Sequence, residues 1–166
     1  AEFWEYPSEV ARGMIDANYL SVFYACRAAA AQMVKQGGGG VLVPTSSASA
    51  LRGSRNFAYP TSKGAVISFT KSLAGSLAEQ DIRANCIIPG LIVQGPARDE
   101  EQAATRARRG PFIPVRRPGE WWELGPLAIF LASDASSYIT GQNFIIDGGS
   151  MAGGLGPSAF RPEYEA

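Results

Sequence analysis

The sequence predicts an α/β protein built on a parallel sheet, part of a doubly wound fold. Three short apolar runs, Val41–Thr45, Ile82–Ile88 and Asn143–Asp147, read as strands buried on both faces. Stretches with helical spacing lie before and between them, and each crossover exceeds about ten residues, the length a parallel pairing needs. Such connections are right-handed. A chain of 166 residues, 46% hydrophobic and 18% charged, has room for one domain and is too apolar to be disordered.

Residues 1 to 7 begin without a methionine and already lead into a helix, so the beginning reads as cut. From Ser8, a plausible N-cap, to Lys35, apolar residues recur at Ile15, Tyr19, Val22, Cys26, Ala29 and Met33, which predicts one long helix. A second stripe, Val10, Met14 and Ala17, indicates cover on more than one side. Asn18 falls among these positions, either as a solvated amide or as a buried polar group with a task. Gly37 to Gly40 stop the helix. The strand Val41–Thr45 follows, with Pro44 inside it where a ladder wants a donor.

Ser46 and Ser47 stand at that strand's C-terminal end, where open α/β sheets bind ligands. A loop, Ala48 to Asn56, leads to a helix over Phe57–Glu79, and the strand Ile82–Ile88 is ended by Pro89 and Gly90. The segment Leu91–Gly119, rich in proline and glycine around a possible helix at Arg98–Arg109, reads as a lid or binding loop. A helix over Glu120–Ala132 carries Pro126 in its middle, which predicts a kink. The strand Asn143–Asp147 completes a domain over 1–149, and a Gly-rich tail occupies 150–166.

The chemistry centres on Tyr59 and Lys63. Four apart on a helix, they share one face a turn apart. A free phenol titrates near ~10, and a nearby ammonium favours its ionised form, so the pair suits proton transfer. A serine hydroxyl beside it can hold a carbonyl or alcohol oxygen.

Other chemistries lose ground. The chain has no histidine, which removes Ser-His-Asp and Cys-His nucleophiles and the HExxH zinc motif. Fifteen basic residues balance fifteen acidic ones, so neither nucleic acid nor a membrane surface is expected as a partner, and the run Arg98–Arg117 reads as a loop cap. Cys26 and Cys86 sit in apolar patterns and read as packing in a reducing compartment, with the cytoplasm as the default location. No stretch has the length and apolarity of a spanning helix or a secretory leader.

Together these motifs resemble the C-terminal two-thirds of a short-chain dehydrogenase/reductase, from about Pro7 to Gly149. Asn18 in Asn-Tyr-Leu-Ser-Val-Phe is similar to the family's active-site asparagine. Ser46-Ser47 with Ala50-Leu51-Arg52-Gly53 resembles the serine segment, Tyr59-Pro-Thr-Ser-Lys63 the YxxxK motif, and Asn85 to Gly90 the turn beside the nicotinamide. Ser133-Asp134, Tyr138 to Gly141 and Asp147-Gly148-Gly149 resemble the closing strand. YxxxK alone is weak, since any helix can carry it; five motifs in order at family spacing are specific.

The resemblance implies a Rossmann-type fold, NAD or NADP as cofactor, and hydride exchange with a small alcohol or carbonyl compound. It implies that Tyr59 is the general acid or base, Lys63 its activator and a ribose ligand, Ser47 the group orienting the substrate oxygen, and Asn18 the holder of a relay water. Pro89, Gly90, Ile92 and Gln94 are implied at the nicotinamide, Gln94 standing where the family often has threonine. Counting thirteen residues back from Tyr59 gives Ser46, whereas strand and turn align Ser47, which is preferred.

The Gly-rich phosphate turn and the residue choosing NAD or NADP belong upstream of Ala1, since Gly37 to Gly40 precede a strand rather than a helix. The helices Ser8–Lys35 and Phe57–Glu79 resemble the family's dimer surface, so a homodimer or homotetramer is implied. The competing reading is a non-catalytic half that binds another chain. The lid arginines, with Trp121-Trp122 just beyond, read first as solvated side chains, the commoner case, and second as a contact for an acidic sugar or carboxylate; the substrate itself is not legible.

Overall fold

The computed structural model describes residues 2–52 and 56–152. A 3-10 turn at Phe3–Glu5 leads to α1 (Ser8–Ile15), whose N-cap is Pro7 rather than Ser8; Ala11 N donates to the Pro7 carbonyl. The expected single helix is interrupted. Asp16–Leu20 widen into a π-turn, with Ser21 N reaching back to Asp16 O, before α2 (Ser21–Gln36) resumes. Two side chains take up carbonyls that the wider turn displaces: Asn18 Nδ2 donates to Met14 O at 3.0 Å and Ser21 Oγ to Ala17 O at 2.7 Å. Gly37 closes α2 with φ +71°, and Gly39 must be glycine because a Cβ there would collide with the Asp81 carbonyl.

The strand β1 is shorter than Val41–Thr45, covering Gly40–Leu42, with Thr45 making a separate parallel bridge to Ile87. Pro44 is the cause. Its carbonyl accepts from Ile87 N at 3.0 Å, and Ser46 N donates to Ile87 O at 2.9 Å, so only the rung that needs a donor at position 44 is absent. Next come a 3-10 turn (Ala48–Leu51) and α3 (Ala58–Leu77); Gly53 of the serine segment lies outside the described residues.

The second predicted strand is divided at Asn85 into β2 (Ile82–Ala84) and β3 (Cys86–Pro89). Asn85 is fully buried, and its amide donates to Ile139 O at 2.8 Å and accepts from Gln142 N at 3.0 Å. The lid holds more order than expected. β4 (Ile92–Val93) pairs in parallel with β5 (Gly119–Glu120), and α4 (Glu100–Arg109) between them is capped by the Asp99 carboxylate, which accepts from Gln102 N.

A 3-10 turn (Trp121–Leu124) then enters α5 (Gly125–Ala132), so Pro126 opens a helix instead of kinking one. A first-turn proline forfeits no intrahelical bond. The strand β6 (Asn143–Ile146) pairs in parallel with β3, as β1 does with β2. Residues 150–152 form a turn, and the rest of the expected tail lies outside the described residues.

Joined by the Thr45–Ile87 bridge, the described strands run β1, β2 with β3, then β6, the expected parallel α/β arrangement. Cys26, Ala30, Leu42, Ala74, Ile82 and Ala84 form one core under α2 and α3; Ala48, Val66, Cys86 and Ile88 form a second beside it. Tyr19 on the π-turn meets Phe69 of α3 edge-on, with centroids 5.8 Å apart. Both cysteines are buried free thiols, as expected of packing residues. Arg83 points away from this core and bonds Ser133 O at the end of α5, which places α5 on the opposite face.

Candidate active site

The site is assembled by the C-terminal end of β1 and the first turns of α3. Asn56 Oδ1 accepts from Tyr59 N at 3.3 Å, which steadies the helix start, and Tyr59 stands in the first turn with Lys63 one turn on. Lys63 Nζ donates to Thr45 O at 3.1 Å. Burial lowers the Lys63 pKa from its usual 10.5, and the neighbouring Cys86 acts in the opposite sense. Burial likewise raises Cys86.

The two serine side chains have different surroundings. Ser46, at 4% exposure, turns inward and donates from its hydroxyl to Lys63 O at 2.7 Å. Ser47 faces a cavity, and its Oγ accepts from Ser49 N at 3.3 Å and lies 3.0 Å from Ser49 Oγ. Alternation along an extended strand puts adjacent side chains on opposite sides, so one serine is structural and the other open.

That cavity, of about 740 Å³, lies at the strand ends and brings together Ser47, Tyr59, Pro89 and Gly90. Gly90 allows a close approach: a Cβ there would come within 2.6 Å of Asp147 Cβ. Asp147 in turn accepts from Gly149 N at 2.9 Å and Met151 N at 2.6 Å, and this turn carries Ser150 and Met151 into the cavity wall. Asn18, Lys63, Ile92 and Gln94 are not among the lining residues. Asn18 is half-buried with its amide turned to Met14, Ile92 packs on Gly119, and Gln94 is exposed.

The sequence reading missed Arg52, Asn56, Arg109, Phe112, Ser150 and Met151 as walls of this cavity. Arg52 was legible as part of the serine turn; Asn56 precedes α3, Arg109 and Phe112 come from the end of α4 and the turn after it, and Ser150 and Met151 from the final turn, which no local pattern announces. A smaller cavity of about 370 Å³ lies within the lid, against Val93, Arg106, Arg116, Arg117 and Glu120. Its arginines are engaged locally: Arg106 donates to Gly95 O and Gln102 Oε1, and Arg117 forms a two-pronged pair with Glu123 at 2.7 and 2.8 Å. Among the described residues no cluster of three or more His, Cys, Asp or Glu can hold a metal, and no helix is long and apolar enough to cross a membrane.

The family resemblance carried by the sequence motifs is borne out by comparison. A family model described as "Enoyl-(Acyl carrier protein) reductase" matches residues 1–151. The chain belongs to the short-chain dehydrogenase/reductase family. It is 38% identical over 152 residues to an L-rhamnose-1-dehydrogenase of Scheffersomyces stipitis, covering 89% of this chain and 58% of that protein. A 3alpha-hydroxysteroid dehydrogenase of Mediterraneibacter gnavus is 38% identical over 154 residues, covering 90% and 60%. The crystal structure of an acetoin dehydrogenase from Enterobacter cloacae superposes with a TM-score of 0.83 at 32% identity, covering 98% of this chain and 62% of that one. The chain thus spans about three-fifths of the length of these relatives.

Proposed function

We propose that this chain forms the catalytic part of an NAD- or NADP-dependent oxidoreductase acting on a secondary alcohol or a carbonyl compound. The observation that carries the reading is the shared cavity of Ser47 and Tyr59 at the strand ends, with Lys63 fastened to Thr45 one turn along α3 from the phenol. Two hydroxyls on one wall and a glycine turn on another are a donor set that fits the nicotinamide end of such a cofactor and a substrate oxygen. Tyr59, Lys63, Pro89 and Gly90 are the residues that would hold that end, and the nicotinamide supplies or accepts the hydride when bound. Ile92 and Gln94 flank the same turn on its lid side.

Within this reading the chain's own groups handle the oxygen and its proton. Ser47 Oγ orients the substrate oxygen by a hydrogen bond. Tyr59 donates a proton to that oxygen in reduction and removes it in oxidation. The Lys63 ammonium sets positive charge near the phenol. Asn18, on the π-turn packed against α3, holds a water that connects Lys63 to solvent. The two long helical segments, α1 with α2 and α3, form the face that meets a second copy in the homo-oligomer.

The test follows nicotinamide absorbance with a panel of secondary alcohols and ketones, alongside cofactor binding by fluorescence. Tyr59→Phe is expected to abolish nearly all turnover while cofactor affinity stays similar. Equal turnover in the variant would refute the role of Tyr59, and no cofactor binding at millimolar concentration would favour the non-catalytic alternative.

A further inference from the structure

The cavity lined by Ser47 and Tyr59 is also lined by two exposed arginines, Arg52 and Arg109. Arg52 ends the 3-10 turn that follows Ser47, and Arg109 ends α4. Among the described residues no Asp or Glu lines this cavity. Neither arginine enters an ion pair or a side-chain hydrogen bond among the described residues, in contrast to Arg106 and Arg117 in the lid. The carboxylate on the adjoining turn, Asp147, is committed to the amides of Gly149 and Met151. Two unneutralised like charges in one concave site repel each other and focus a positive potential, which an entering anion relieves. A guanidinium fork suits a carboxylate in particular.

We infer that the substrate is an anionic hydroxy or oxo acid, its carboxylate met by Arg52 and Arg109 while its reacting oxygen lies at Ser47 and Tyr59. This rests on the cavity being the substrate site of the proposed oxidoreductase. Phe112 and Met151 supply apolar wall for the carbon chain between the two ends. The two arginines come from separate elements, one from the turn after β1 and one from the lid helix, so the acid would bridge lid and sheet. A neutral polyol or ketone would leave both charges unpaired and lose that contribution.

The test is a pair of near-isosteric ligands, lactate and its neutral amide lactamide, titrated into the isotope-labelled chain and read from the amide resonances of Ser47, Tyr59 and Gly90. Lactate is expected to bind roughly tenfold tighter, with the difference shrinking as salt is raised. Arg52→Gln together with Arg109→Gln should bring the two ligands level, and the matching lysine variants should restore part of the preference. Equal binding in the parent chain, absence of shifts with either ligand, or a preference surviving in the double glutamine variant overturns the proposal. It is also overturned if the double variant weakens NAD or NADP binding and leaves the lactate preference intact, since the arginines would then serve cofactor phosphates. None of these readouts depends on turnover, so a loss of the catalytic reading through Tyr59→Phe is told apart from a loss of this one.

Discussion

The Ser46 hydroxyl is bonded to the main-chain oxygen of Lys63 at 2.7 Å, and the Lys63 amine returns to the main-chain oxygen of Thr45 at 3.1 Å. The end of β1 and the second turn of α3 are therefore clasped in both directions. Ser46→Ala removes a buried bond, and an unfolding free energy lower by about 1–3 kcal/mol is expected. Urea denaturation reads this as a lower midpoint at unchanged slope. An unchanged midpoint would show that the clasp adds nothing.

Lys63 makes stability depend on alkaline pH. Its folded pKa is held below 10.5 by burial, so between the folded value and 10.5 the unfolded chain binds the extra proton. Stability contributed by this group therefore rises with pH across that interval and is lost as pH falls through the folded value. In Lys63→Met the rise should be absent from urea midpoints measured over the same interval. A slope equal to that of the parent chain would contradict it.

The lid's ion pair answers to acid. The Arg117 side chain, followed by the Glu120 backbone, lowers the Glu123 pKa from 4.5 to about 2. The contribution of the pair is present above 4.5 and fades as pH falls toward 2. Arg117→Gln should bring the Glu123 carboxyl, followed by carbon-detected NMR titration, back toward the ordinary carboxylate range. A titration midpoint left near its present place would assign the shift to the Glu120 amide alone.

Gly90 is expected to resist any side chain. In Gly90→Ala the new Cβ would lie 2.6 Å from Asp147 Cβ and 2.7 Å from its Cα, so backbone must move. A loss of about 1–3 kcal/mol is expected in thermal unfolding, with displaced Ser150 and Met151 amide resonances. Parent-like stability and spectra would mean the closing turn yields freely.

Much of the fold was legible because local chemistry and tertiary outcome agree. The spacing from Ile15 to Met33 marks a helical stripe, and α1, the π-turn and α2 carry it; the apolar runs at 82–88 and 143–147 contain β2, β3 and β6. The disagreements have specific causes. The π-turn depends on Asn18 and Ser21 bonding back to carbonyls while Tyr19 packs on Phe69, and spacing of apolar residues does not encode those contacts. The β4–β5 pair has two residues a side and joins segments far apart in sequence, too short for any periodicity. Pro126 opens α5 where a mid-helix kink is expected, because a proline's effect depends on whether the helix begins before or at it.

By itself the sequence determined the order of elements, the parallel sheet and the face shared by Tyr59 and Lys63, because these follow from side-chain periodicity within single segments. Tertiary structure decided which neighbouring serine is open. The register that bonds Ser46 N to Ile87 O turns the Ser46 hydroxyl into α3 and leaves Ser47 facing the cavity. It also decided that Arg52, Arg109 and Met151 share that cavity, since residues from three distant segments meet only when the strand ends, the lid helix and the closing turn are packed together.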